Sequence, residues 1–208
     1  MLKIQNSENN GGFILWGDYS SLQAIHTFIM DISEKSPVLN EEGLTVALAY
    51  DLRKAFENQR EREQMDVWED TITIYGVEQI WPTFIIQIAL LRNALSFIDS
   101  SKLDQSIMYQ LEAYLFEAFA TCLPAQALQL EAVYNSIVGI QEHEVDERLG
   151  SRVSYFLSSS PKKRAIQLSE VLLSLAPMFD DFPHNDGTRL APKDFNGHSW
   201  ETLPNTEL

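Results

Sequence analysis

The sequence predicts an α+β fold that is predominantly helical, with five to six helices around a central apolar helix and a small antiparallel sheet. Three observations predict it. Apolar residues recur at helical spacing along most of the chain. Two β-prone runs flank an Asn-Gly-rich turn near the N-terminus, and the window that follows Trp81 is apolar nearly all round. Because a helix that is apolar on every side is buried, this window is expected to be the centre.

The sheet is expected to combine an N-terminal hairpin with a third strand. Residues 3–5 and 13–16 are the β-prone runs, and Asn9-Asn10-Gly11-Gly12 between them supplies the positive φ angles that a tight turn needs. Residues 71–76 alternate between polar and apolar side chains and are β-branched at several positions. They are predicted to form a strand that pairs with the hairpin.

Helix-start signals place the remaining elements. Ser20 and Gln23 match a capping box for the first helix, and Asn40 is a suitable N-cap for the second, whose polar end at 57–64 is predicted to be solvated. Pro82 suits the first turn of the central helix. Further helices are predicted from Ser101, over 125–138, and from Ser160 to about 176.

The predicted domain organisation is one globular α+β domain over residues 1–176, followed by an irregular extension. Residues 177–208 are rich in Pro, Asp, Asn and Gly, so regular structure is not expected there. Four aromatic side chains in this extension predict that it docks on the domain, and they are Phe179, Phe182, Phe195 and Trp200.

Charge and composition exclude some partners. The 208 residues include 30 acidic and 15 basic ones, which gives a formal net charge of −15. Such a surface repels phosphate backbones and anionic membranes, so no nucleic-acid or membrane partner is expected. Cys122 is the only cysteine and the N-terminus lacks a signal-peptide core, which predicts a cytoplasmic location.

Arg92 and Asp51 are the first two candidate ligand-binding residues. Arg92 interrupts the apolar central helix, and a buried guanidinium requires an anion or a route to water. Asp51 lies at the edge of the apolar stripe of the second helix. We hypothesise that these two residues pair, or that each meets another charge at the edge of the core. A scaffold ion pair and a ligand-binding charge in a cleft are the two alternatives.

Asp18 and His26 complete the candidate set. Asp18 follows Gly17 just before the first helix, where capping is the structural alternative to ligand binding. His26 sits next to an apolar position of that helix and is a boundary histidine in the structural interpretation. No catalytic residue is predicted, because neither a nucleophile elbow nor a phosphate-binding glycine loop occurs. Cys122 lies on an apolar helical face and is interpreted as an inert buried thiol.

Neither a metal nor a cofactor is expected. Residues 142–147 are acidic and contain His143, but their spacing matches no zinc or calcium pattern, so a solvated acidic loop is predicted. A second cluster also departs from the calcium-loop pattern, and it comprises Asp180, Asp181, His184 and Asp186.

Three short motifs carry a resemblance to a known family. They are the stretch from Gly12 to His26 with its Gly17-Asp18-Tyr19 turn, Tyr50-Asp51-Leu52-Arg53 with the later Arg62-Glu63, and Ile80-Trp81-Pro82. Together they resemble a family of uncharacterised bacterial proteins over about the first half of the chain. The resemblance implies a bacterial origin and an α+β fold, and it implies no catalytic residue.

Three functions are compatible with these observations. The favoured one is a non-catalytic, cytoplasmic protein-binding function, as in an immunity-like protein that captures a basic toxin. The second is a small-ligand-binding protein or enzyme with a cleft near Asp18, His26, Asp51 and Arg92. The third is a structural homodimer, so the expected partners are proteins, including a second copy of the chain.

Overall fold

The computed structural model describes residues 2–181 and 189–204, and its fold is α+β and predominantly helical, as predicted. The sheet and helices alternate in the first half of the chain, and helices dominate the second half. In chain order the elements are β1 (Leu2–Asn6), β2 (Gly12–Asp18), α1 (Tyr19–Lys35), α2 (Leu44–Phe56), β3 (Arg62–Val67), β4 (Asp70–Ile80), α3 (Trp81–Ala94), α4 (Lys102–Cys122), α5 (Ala127–Ile137), α6 (Glu142–Ser158) and α7 (Pro161–Leu173).

The sheet is antiparallel, with the strand order β1-β2-β4-β3. The predicted N-terminal hairpin is β1 and β2, and the predicted strand near residue 72 is part of β4, which pairs with β2. The chain leaves the helix at Phe56 and β3 begins at Arg62, within the stretch 57–64 that was expected to be the solvated end of the second helix, so that expectation was wrong. α2 ends at Phe56, and Asn58 takes a positive φ of 64° that turns the chain into the strand.

α3 is the central helix, as predicted. It packs against every other α-helix of the described chain and against β4. Its buried residues point in all directions around the axis, and Gln87 is the one polar residue among them. On the sheet side, the ring of Phe13 lies 4.6 Å from that of Trp81 and 5.1 Å from that of Phe84. Within 2–181 and 189–204, the length and apolar character needed to span a bilayer are not combined in any helix.

The acidic segment expected to be a loop is the start of α6. There the Gln141 backbone N–H donates to the Glu144 side chain at 3.0 Å, and the Glu144 N–H donates to the Gln141 backbone oxygen at 3.0 Å. Carboxylates at a helix N-terminus are stabilised by the unpaired N–H groups and the helix dipole. The charge density that suggested a solvated loop therefore favours a helix start.

Arg164 links the β1–β2 turn to the α6–α7 junction. Its side chain is buried, and its guanidinium donates to the backbone oxygens of Phe156 and Leu157 at the end of α6 and to that of Asn9 at 3.0 Å. Burial lowers the pKa of this guanidinium. Lys162 and Lys163 beside it are exposed.

Residues 189–204 lie along α6. Phe195 is buried and its ring lies 5.2 Å from that of Tyr155. The indole of Trp200 lies so close to Gly150 that a Cβ there would come within 2.6 Å of the ring. Ser154, buried in the same helix, is hydrogen bonded to Thr202. Phe182, His184 and Asp186 fall outside the described residues, and the division at residue 176 stays a prediction.

We expect Arg164→Met to lower the free energy of unfolding by about 2–3 kcal/mol, because three backbone oxygens lose a charged donor. Lys162→Met, which removes an exposed cation from the same turn, is the matched control and should change it by less than about 0.5 kcal/mol. Urea denaturation followed by circular dichroism measures both. Equal losses in the two variants would contradict the linking role of Arg164.

Candidate functional site

The four candidate residues predicted from the sequence, Asp18, His26, Asp51 and Arg92, each have their own set of partners in the structure. Asp18 is the N-cap of α1 and accepts hydrogen bonds from the Ser21 backbone N–H at 2.9 Å and from the Ser21 hydroxyl at 2.8 Å. Partial burial acts to raise the pKa of Asp18, but the hydrogen bonds to its carboxylate outweigh this and hold the pKa below its ordinary value. The predicted capping box with Ser20 was wrong, because the N-cap is Asp18 and the helix therefore begins two residues earlier than predicted.

His26 lies on α1 where this helix meets α2. Its ring approaches the edge of Phe56, with 5.7 Å between centroids. Burial lowers the pKa of His26 below its ordinary value of 6.5, the charge of Arg53 lowers it further, and Glu57 acts in the opposite direction. The neutral imidazole is therefore favoured at this boundary between the two helices.

Asp51 forms an ion pair with Arg60, at 2.8 Å between Oδ1 and Nη2. The pair stands at the mouth of a cleft of about 500 Å³ between the end of α2 and the sheet. Glu61 and Glu78 add two more carboxylates to the cleft, and its apolar side is formed by Ile14, Val77 and Ile80.

Arg92 is held by Glu112 of α4. Its Nε donates to Glu112 Oε1 at 2.7 Å and its Nη2 to Glu112 Oε2, so the contact is bidentate. Nη1 donates to the Gln105 side chain at 3.2 Å, and the guanidinium lies 4.7 Å above the ring of Tyr109. Tyr134 of α5 donates its hydroxyl to Glu112 at 2.8 Å.

This network joins three helices at the edge of the core. Burial and the adjacent Glu112 raise the pKa of Tyr134, so its hydroxyl stays a donor, and hydrogen bonds to Glu112 raise the pKa of Arg92. The hypothesis that Asp51 and Arg92 pair with each other was wrong. The alternative that each meets another charge holds, with Arg60 and Glu112 as the partners.

Cys122 is half-buried at the end of α4. Burial raises the pKa of its thiol to about 11. A thiol with so high a pKa is almost entirely protonated at neutral pH, and the thiolate is the nucleophilic form. The interpretation of Cys122 as an inert thiol agrees with this pKa.

Glu142 is a structural residue that the sequence analysis assigned to the acidic loop. Its side chain is 1% exposed, and its two carboxylate oxygens accept backbone N–H groups of Asn40 and Leu44, each at 2.6 Å. It thus caps α2, whose N-cap Gly43 has no side chain to do so. A Cβ on Gly43 would overlap this carboxylate. The sequence analysis placed the N-cap of this helix at Asn40, whereas the helix begins at Leu44 after Gly43, so the local pattern did not predict a cap from α6.

The Glu142 contact brings an acidic surface together. The loop before α2 carries Glu41 and Glu42, and both are exposed. Glu34 of α1 lines a shallow pocket with Glu41. On α6, Glu144 is half-buried while Asp146 and Glu147 are exposed. We refer to these carboxylates as the acidic pole, which comprises Glu34, Glu41, Glu42, Glu144, Asp146 and Glu147.

The acidic pole is not arranged as a metal centre. Across residues 2–181 and 189–204, three or more His, Cys, Asp or Glu side chains do not converge in a way that could hold a metal ion. The carboxylates of the pole come from three separate elements and spread over a surface. This arrangement produces a negative potential over an area larger than a single ion would require.

Arg92→Ala should lower the free energy of unfolding by about 2–4 kcal/mol, because Glu112 would remain largely buried without its counter-ion. Arg53→Ala is the control, since this cation lies over the exposed Tyr50 ring and its loss should cost less than about 1 kcal/mol. The double variant Arg92→Met with Glu112→Met should recover part of the loss. Chemical denaturation at pH 7 tests the set, and no recovery in the double variant would argue against the buried pair.

A double-mutant cycle tests the cap of α2. Glu142→Ala should cost about 2–4 kcal/mol, because the N–H groups of Asn40 and Leu44 lose a charged acceptor. Gly43→Ala should also destabilise the protein, because the new Cβ displaces the carboxylate. In the Glu142→Ala background Gly43→Ala should be nearly neutral, so the two losses are strongly non-additive. Additive losses in chemical denaturation would contradict direct contact between the two positions.

No curated protein matches the chain, and no solved structure matches it. A family match covers residues 2–186, which extends well beyond the N-terminal half that carries the resemblance seen in the sequence. The chain belongs to the family described as Domain of unknown function (DUF6904).

Proposed function

We propose that this chain is a non-catalytic protein of the bacterial cytoplasm that binds a basic protein partner, as an immunity protein binds its toxin. The acidic pole is the observation that supports the proposal. Five of its six carboxylates are exposed and Glu144 is half-buried, and the bonds of Glu142 to Asn40 and Leu44 bring the loop before α2 next to the start of α6. Among the described residues of these segments, Lys35 is the exposed cation, while Arg148 donates to the backbone oxygens of Ala176 and Pro177.

Electrostatics explains how such a surface would act. The formal net charge of −15 attracts cations over the whole molecule, and the acidic pole concentrates this attraction on one side. Complementary charge raises the association rate of two proteins, and it disfavours partners of the wrong sign. The bond from Glu142 to the loop before α2 keeps Glu41 and Glu42 in a defined position. A preformed surface binds with a smaller entropy cost than a flexible one.

A second candidate function uses the cleft beside Asp51. Its charged lining of Asp51, Arg60, Glu61 and Glu78 lies against an apolar wall, which is the composition of many small-ligand sites. Because the carboxylates outnumber the single guanidinium, this cleft would favour a cationic ligand such as an amine. Stabilisation of the protein in a thermal-shift screen by an amine, lost in Asp51→Asn, would favour this function over the first.

The binding proposal is tested by screening the products of adjacent genes as analytes against the immobilised chain, and a basic protein is expected to bind. Reversing four exposed carboxylates of the acidic pole, Glu41, Glu42, Asp146 and Glu147, to lysine should reduce the association rate at least about tenfold at low salt. For the unaltered chain, the rate should also fall as salt is added, because added ions screen the attraction.

The matched control reverses Glu8, Asp99, Glu117 and Glu201, which are exposed and lie outside the acidic pole. This variant has the same net charge as the first one and should keep most of the association rate. An equal loss in both variants would mean that total charge acts without a defined surface. Binding that survives reversal of the acidic pole would contradict the proposal.

A further inference from the structure

β3 forms one edge of the sheet, and its outer side is unpaired in the described chain. It pairs with β4 alone, and its side chains are exposed or half-buried along its length. An unpaired edge offers backbone N–H and C=O groups to another strand. The hairpin that follows it ends in Trp68, which is 99% exposed. An open edge with an exposed tryptophan beside it is a surface on which another strand can pair.

The register shows which backbone groups face outward. The N–H of Gly76 donates to the oxygen of Glu61 at 2.9 Å, so Glu61 and Gly76 form a hydrogen-bonded pair of the antiparallel ladder. These pairs alternate along two antiparallel strands. The N–H and C=O groups of Glu63, Met65 and Val67 therefore point toward β4. Those of Arg62, Gln64 and Asp66 point to the open edge.

We propose that two copies of this chain pair through their β3 edges, antiparallel and across a two-fold axis at Gln64, so that the two sheets become one. In this register Arg62 lies opposite Asp66 of the partner subunit, and Asp66 lies opposite the partner's Arg62. All outward-facing groups of both edges are paired, with about six backbone hydrogen bonds. Opposite charges that face each other across antiparallel strands stabilise the pairing.

The side chains of the edge already lie in suitable positions. Because side chains alternate along a strand, those of Arg62, Gln64 and Asp66 share one face of the sheet. On that face Gln64 donates to the Thr73 hydroxyl at 3.0 Å, and the Thr71 hydroxyl donates to Asp66 at 2.8 Å. These cross-strand bonds hold Gln64 and Asp66 in place before any partner arrives.

Neighbouring registers of the two β3 strands have less favourable charge contacts or fewer hydrogen bonds. Moving the second strand by two residues in one direction brings Glu63 opposite the partner's Glu63, and like charges that face each other are destabilising. Moving it by two residues in the other direction removes Arg62 from the partner's Asp66. A shift by one residue sets outward groups against inward ones, so hydrogen bonds are lost. Of these registers, the two-fold one at Gln64 both pairs the outward N–H and C=O groups and places Arg62 opposite the partner's Asp66.

Trp68 gives the edge an apolar contact. It occupies the first position of the two-residue loop between Val67 and Asp70, with a φ of 61° that costs an L-residue about 1–2 kcal/mol. Its exposed indole lies next to the end of β3, where the paired copy would cover part of it.

A second copy is favoured over a foreign basic strand because the edge carries both signs. A uniformly basic strand would place a cation opposite Arg62, whereas a second copy meets complementary charge at both ends of the pairing. The dimer is independent of the proposed function, because the acidic pole begins at the other end of α2, about 20 Å from β3.

Swapping the charges at positions 62 and 66 tests the pairing directly, with the dimer measured by sedimentation velocity. The measurement uses about 150 mM salt, which screens the repulsion between two acidic copies beyond about 8 Å. We expect a monomer–dimer equilibrium for the unaltered chain. Arg62→Asp and Asp66→Arg should each weaken the dimer about tenfold or more, because two opposite-charge contacts become like-charge contacts. The double variant Arg62→Asp with Asp66→Arg should restore it to within about threefold.

Matched controls change the net charge equally at other exposed positions. Lys162→Asp is the control for Arg62→Asp, and Glu41→Arg is the control for Asp66→Arg. Both controls should keep the dimer. Gln64→Pro removes an outward N–H together with the exposed side-chain bond to Thr73, and it leaves the backbone pairing of β3 with β4 intact. It should therefore abolish the dimer while circular dichroism stays close to that of the unaltered chain.

Amide hydrogen exchange gives a second readout. In concentrated samples the N–H groups of Arg62, Gln64 and Asp66 should exchange slowly, and on dilution they should exchange at least about tenfold faster. Those of Glu63, Met65 and Val67 should stay slow at both concentrations. A chain that is monomeric at every concentration, or a double variant that does not restore the dimer, would overturn the inference. Loss of partner binding in Glu41→Arg with an intact dimer would support both proposals, and loss of the dimer in Arg62→Asp with intact partner binding would show that the two surfaces act independently.

Discussion

Burial of α3 on every side is the constraint on which the rest of the structure depends. An apolar helix with no polar face must be covered completely, so the sheet and every other α-helix of the described chain pack around it. This demand also explains where charge can occur. Arg92, at the C-terminal end of α3, reaches the edge of the core, where Glu112 and Tyr134 from two surrounding helices complete its environment.

Elements whose signals are local could be predicted from the sequence. The N-terminal hairpin, the strand near Ile72, the start of α4 at Ser101 and the identity of the central helix all follow from short-range patterns. β3 could not be predicted, because its polar residues resemble a helix end, and the ladder with β4 decides its conformation. The start of α6 was missed because its acidic residues are equally compatible with solvent and with a helix N-terminus.

The candidate site residues also divide into features that local sequence patterns predict and features that depend on packing between distant segments. The sequence predicts that a guanidinium in an apolar helix needs an anion, and Arg92 has one. The identity of that anion depends on how α3 and α4 pack, which no local pattern contains. Glu142 is the clearer case, because nothing near it in sequence distinguishes it from Glu144 or Glu147. Its burial follows from the position of a loop about a hundred residues earlier in the chain.

The same contact bears on how the chain folds during synthesis. Leu44 and Glu142 are 98 residues apart, so the first turn of α2 leaves the ribosome long before its acceptor. At about 5–20 residues per second, the interval is on the order of 5–20 s. Throughout it the nascent chain has an incomplete start of α2, and from about the midpoint it also carries an apolar α3 that the later helices have yet to cover. Exposed apolar segments of this kind are what chaperones bind.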